Sequence, residues 1–147
     1  MTISRKFLLL LGCAVLGCPG NAQTPAVLLP LARSWLHAPE LQHEGSIYRS
    51  DGYDETQHAY VLTRTGGAAA PLQLTLAASA ASSLFDPALV IHGWGGGGAQ
   101  LKISGRPVAW GRSNRMGYAE HLDGTDLVIW MKKQTTQPLR VEVLPAQ

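Results

Sequence analysis

The stretch "PLQLTLAAS" constrains this chain more than any other. Leu72, Leu74 and Leu76 alternate with Gln73 and Thr75, and a period of two sends the leucines to one side of an extended strand. The pattern returns in "LKIS" with Leu101 and Ile103, and in "LRVEVLP" with Leu139, Val141 and Val143. One dry and one wet face per strand is the habit of antiparallel sheets. "ALVIHGW" and "DLVIWMKK" are apolar at nearly every position, as central strands are. "SIYRS" and "HAYVLTR" add β-branched and aromatic runs, and no long stretch carries a helical period. Six to eight short strands with turn signals between them predict an all-β fold. The expected form is an antiparallel β-sandwich, immunoglobulin-like or jelly-roll-like, with a small β-barrel as the alternative.

"HGWGGGGAQ" interrupts that pattern with four consecutive glycines, Gly95 to Gly98. A phosphate-binding loop needs a lysine followed by serine or threonine, then a helix. Ala99 and Gln100 follow here, and then a strand, so both the nucleotide and the dinucleotide readings fail. Strand, glycines, strand is a hairpin connection. More glycines are present than a turn requires, so the loop is expected to be mobile.

The N-terminus "MTISRKFLLLLGCAVLGCPGNAQTPA" places Arg5 and Lys6 before an apolar run from Phe7 to Gly17. That is the anatomy of a secretory signal over residues 1–22, with Ala22 suited to the cleavage position and a run too short to span a bilayer. "VLGC" offers a rival, lipid anchoring at Cys18. Cys13 and Cys18 both fall inside the signal, so a released domain holds no cysteine and relies on its core. Without Arg5 and Lys6 the chain has ten basic and ten acidic residues, a balance that argues against nucleic acid as a partner. Residues 23–42 read as either a short helix from Pro30, with Leu31 and Trp35 on one face, or an edge strand. Residues 43–147 form the sandwich.

Chemistry-bearing motifs are sparse. There is no G-x-S-x-G elbow and no histidine pair at metal-ligand spacing, and His92, inside an apolar strand, reads as a structural histidine. "HEG" at His43 and "EHLDG" at Glu120 read as surface. Asp51, Asp54 and Glu55 gather around one glycine turn, Asp123 and Asp126 around another. These are the calcium candidates, although neither stretch has the EF-hand spacing. The stronger signal is aromatic. Trp94 ends a strand beside the glycines, and Trp110 opens "WGRSNRMGY" with Arg112, Asn114, Arg115 and Tyr118. Planar rings beside such donors suit a sugar, whose apolar face stacks while its hydroxyls are bonded. Trp130, in "LVIWM", reads as core.

"DPALVIHGWG" followed by "LKISGRPVAWGRSNRMGYAEHLDGTDLVIWMKK" resembles a β-sandwich accessory module of exported bacterial proteins, often found with polysaccharide-active enzymes. The likeness covers Asp86 to Lys133 and implies a fold and an export context, with no active-site residue. The expectation is therefore an exported, periplasmic or secreted, non-catalytic module with no cofactor. It would bind a polysaccharide or oligosaccharide through Trp94, Trp110, Arg112, Asn114, Arg115 and Tyr118. The alternative is a protein-interaction or structural module of the bacterial envelope.

Overall fold

The computed structural model describes residues 25–146. The expected signal segment and the alternative anchoring site at Cys18 lie outside them. Among the described residues one helix, α1 (Pro25–Leu36), precedes twelve strands: β1 (Leu41–His43), β2 (Tyr48–Asp54), β3 (Ala59–Arg64), β4 (Leu72–Leu76), β5 (Leu84–Phe85), β6 (Ala88–His92), β7 (Ala99–Ile103), β8 (Arg106–Val108), β9 (Asn114–His121), β10 (Gly124–Met131), β11 (Gln134–Thr135) and β12 (Leu139–Pro145). They form two five-stranded sheets, β1-β4-β12-β7-β8 and β2-β3-β6-β10-β9, with β11 and β5 as a small third. Neither large sheet closes on itself, so the sandwich holds and the barrel does not. Pairing is antiparallel except between β3 and β6.

The alternating residues meet between the sheets. Leu72, Leu74, Leu76, Leu101, Leu139, Val141 and Val143 come from the first sheet, and Tyr60, Leu62, Leu89, Ile91, Leu127, Ile129 and Met131 from the second. Each fully buried aliphatic side chain stabilises the fold by about 1.5–3 kcal/mol, so this layer is what holds a cysteine-free domain together. β6 and β10 are central, as their unbroken apolar runs predict.

The described part of residues 23–42, from Pro25 on, resolves both ways. α1 begins at Pro25 and carries Pro30 inside it, where the ring removes one helical hydrogen bond. β1 then joins the first sheet at Leu41, opposite Leu76, so the sandwich starts two residues before the expected boundary. Trp35 stacks on His58 with ring centroids 4.1 Å apart.

The glycine run is a turn tethered by hydrogen bonds at Gly95, Gly97 and Gly98. The Gly97 carbonyl accepts from Trp94 Nε1 and Tyr118 Oη. The Gly95 N–H donates to Thr125, and the Gly98 carbonyl accepts from the Ala146 N–H. Gly98 is required by close approach, because an added Cβ would meet the Ala146 Cβ at 3.0 Å, whereas one at Gly96 would meet nothing. Gly98→Ala should cost about 1 kcal/mol through local overpacking. Gly96→Ala should be neutral or slightly stabilising, because it restricts only the unfolded chain. Urea titration of the two variants checks the difference. Equal costs would mean that the run is needed for backbone freedom alone.

Candidate functional site

The outer face of the second sheet carries a row of polar side chains across four neighbouring strands. Arg49 on β2 stands opposite Thr63 on β3, and Thr63 stands beside His92 on β6. His92 in turn bonds Asp126 on β10. A bulge between Ser50 and Gly52 leaves Asp51 as the extra residue of β2, and such bulges re-aim side chains. Here Asp51 accepts from the Thr63 hydroxyl at 2.6 Å and from Arg49 Nε at 3.0 Å. The Thr63 bond, opposed by desolvation and aided by Arg49, holds the Asp51 carboxyl below its ordinary range.

Asp126 is the centre of this row and is only 6% exposed. Its Oδ2 lies 2.6 Å from His92 Nδ1 and 3.0 Å from His121 Nε2. Its Oδ1 accepts from the Gly93 N–H at 2.9 Å. Burial pushes this carboxyl up, but the Gly93 bond and the two imidazoles outweigh it, and the group is held below the usual carboxylate range. An ionised carboxylate only accepts, so the hydrogens sit on His92 Nδ1 and His121 Nε2. In the neutral rings, His92 Nε2 and His121 Nδ1 are then acceptors. A buried anion thus fixes the tautomer of two half-exposed imidazoles.

Around this centre lies an open cleft of about 410 Å³, lined by Thr63, Arg64, His92, His121 and Asp123 over Asp126. It mixes a guanidinium, two imidazoles, a hydroxyl and a carboxylate. The sequence alone reads His92 as structural, His121 as surface and Asp123 as a calcium candidate. The signal this reading passes over is the two-residue hairpin "HLDG", which brings His121 and Asp123 next to Asp126 once β9 pairs β10.

The expected aromatic site is not brought together. Trp94 is a core residue, 1% exposed and stacked on Tyr48, so it cannot serve as a sugar platform. Strand parity alone would put it outside with Val90 and His92. Gly93, at φ +69°, breaks the alternation and turns the indole inward. Trp110 is half-buried against the core, with Nε1 donating to the Ala99 carbonyl at 2.9 Å. Arg112 is exposed in the loop. Asn114, Arg115 and Tyr118 belong to β9, not to a loop. Their alternation sends Arg115 to the outer face, opposite Trp130, while Asn114 and Tyr118 stand opposite the core residues Met131 and Leu127. Trp130 is therefore an outer-face residue, half-buried beneath the Arg115 guanidinium at 5.4 Å. Tyr118 is 40% exposed and donates its hydroxyl to Gly97.

Of the calcium candidates, Asp123 and Asp126 share the cleft, while Asp51, Asp54 and Glu55 lie on β2 and the turn after it. Asp51 and Asp126 accept the internal bonds already described. Asp54 accepts from the backbone of Thr56 and Gln57 and from the Gln57 amide, closing its own turn. Glu55 is exposed in that turn. Among the described residues, no three His, Cys, Asp or Glu side chains are grouped to hold a metal ion. Nor is any helix there long and apolar enough to cross a membrane. No protein-family model, curated protein or solved structure matches the chain.

Proposed function

We propose that the chain is an exported, non-catalytic module that binds a carbohydrate in the cleft above Asp126. The observation that carries this reading is the mixture of donors and acceptors there: Arg64, His92, His121, Asp123 and Thr63 around one open cleft. Vicinal hydroxyls donate and accept at once, so they suit such a lining, and side chains already ordered by Asp126 lose little entropy on binding. The resemblance of residues 86–133 to accessory modules of exported bacterial proteins agrees with the export context.

The His92–Asp126 pair also has the form of a base and its orienting acid, which favours acid–base chemistry as a second reading. Two observations weigh against it. The Thr63 hydroxyl, the nearest candidate nucleophile by strand register, donates to Asp51. A carboxyl that cleaves a glycoside as general acid must keep its proton near neutral pH, and Asp126 is held the other way.

Calorimetric titration of the protein with a panel of soluble polysaccharides tests the proposal. One glycan class should bind saturably, and Arg64→Gln and Asp123→Asn should each weaken it about three- to tenfold, the worth of one hydrogen bond. Trp110→Ala and Arg112→Ala should leave it unchanged. Binding lost in Trp110→Ala but kept in the cleft variants would return the site to the loop surface. No binding across the panel would remove the carbohydrate reading, and turnover of a glycan would replace it with the catalytic one.

A further inference from the structure

The two large sheets have four edge strands, and three are protected in familiar ways. β1 is three residues long, β8 is equally short and contains Pro107, and β2 carries the bulge at Asp51. β9 has none of these devices. It runs eight residues in unbroken register with β10 and ends the sheet.

Which of its backbone groups are free follows from one bond. The Lys132 N–H donates to the Ser113 carbonyl, so the position before β9 is a hydrogen-bonded pair with β10. In an antiparallel ladder such pairs alternate. Arg115, Gly117, Ala119 and His121 therefore bond β10, while Asn114, Met116, Tyr118 and Glu120 direct N–H and C=O away from it. The Asn114 carbonyl accepts from Gly111, which agrees with that direction. Among the described residues, what remains is the Asn114 N–H and the N–H and C=O of Met116, Tyr118 and Glu120. Beside them Met116 and Tyr118 are 36% and 40% exposed on the side that faces the core.

We propose that a second copy of this chain occupies that edge. The two β9 strands would pair antiparallel about a two-fold axis at Tyr118 and join two five-stranded sheets into one. The spacing suits this occupant. With Tyr118 opposite Tyr118 of the second copy, Met116 falls opposite its Glu120, so the N–H and C=O of all three residues meet free partners. Gly117 and Ala119, both small, then face each other at the close, non-hydrogen-bonded position. The half-exposed Met116 and Tyr118 are covered from the other copy. Both Asp126 clefts would lie on one continuous outer face. Bivalent binding of a long glycan is a consequence that rests on the carbohydrate reading, but the dimer does not.

Sedimentation of the protein across a wide concentration range should show a reversible dimer. Met116→Pro removes an outward N–H, leaves the β9–β10 bonds in place, and should halve the mass with the circular dichroism unchanged. Independently of how that variant folds, Gly117→Cys with Ala119→Cys should form an interchain disulfide between residues 117 and 119 on mild oxidation, identified by peptide mass. A monomer at all concentrations, or a dimer that neither the proline nor the cysteine pair reports, would overturn the proposal. So would an edge that pairs only with a foreign strand.

Discussion

Trp94→Ala should lower the unfolding free energy by about 3–5 kcal/mol, the range for truncating a buried tryptophan. The indole is among the largest fully buried side chains, stacks on Tyr48 at 6.4 Å and holds the Gly97 carbonyl. Alanine therefore leaves a cavity between the sheets and loosens the glycine turn at one point. For a domain of this size the melting temperature should fall by roughly 10–20 °C. Trp94→Phe keeps a ring against Tyr48 and loses only the Nε1 bond and part of the volume, so about 1–2 kcal/mol is expected. Denaturant titration of both variants separates packing from ligand binding. A loss of glycan affinity with stability unchanged would instead place Trp94 at the surface.

Trp94 also shows how far strand parity carries in this chain and where it stops. Leu72, Leu74 and Leu76 announce their direction because the strand is regular and one face is wet. The same parity applied to "DLVIWM" puts Leu127, Ile129 and Met131 inward and Trp130 outward, as the structure has it; the unbroken apolar run hid that direction. At Trp94 the rule fails, because Gly93 takes a left-handed conformation that no pattern of hydrophobicity records. β9 is illegible as a strand for a different reason. An edge strand exposes both faces, so "NRMGYAEH" shows no alternation although it is the most regular ladder in the sheet. The cleft was hidden for a third reason. His92 and His121 meet only through the register of β6, β10 and β9 on one carboxylate, a relation between distant residues that neither local spacing nor composition encodes.

Asp126→Asn should be the most damaging polar substitution, because three donors converge on this carboxylate. His92 Nδ1, His121 Nε2 and the Gly93 N–H would compete for one amide oxygen. Removing one member of a buried charged network costs about 3–5 kcal/mol. The two imidazole side chains are 40% and 55% exposed, so water screens part of the loss and about 2–3 kcal/mol at neutral pH is the better figure. The pH dependence identifies the mechanism. Asp126 has its carboxyl lowered from the ordinary 3.8, so its contribution is complete above that value and disappears as the pH falls through the folded-state value. Asp51 and Asp54 are lowered as well, so the wild type should lose stability steeply below about pH 4, with Asp126 one of several sources. In Asp126→Asn this limb should be shallower, and the two proteins should converge in acid. Glycan affinity should fall together with stability, since the variant frees both imidazoles that line the cleft. A constant difference at every pH would mean that Asp126 acts through shape and not charge. Unchanged binding would mean that the imidazoles are not part of the site.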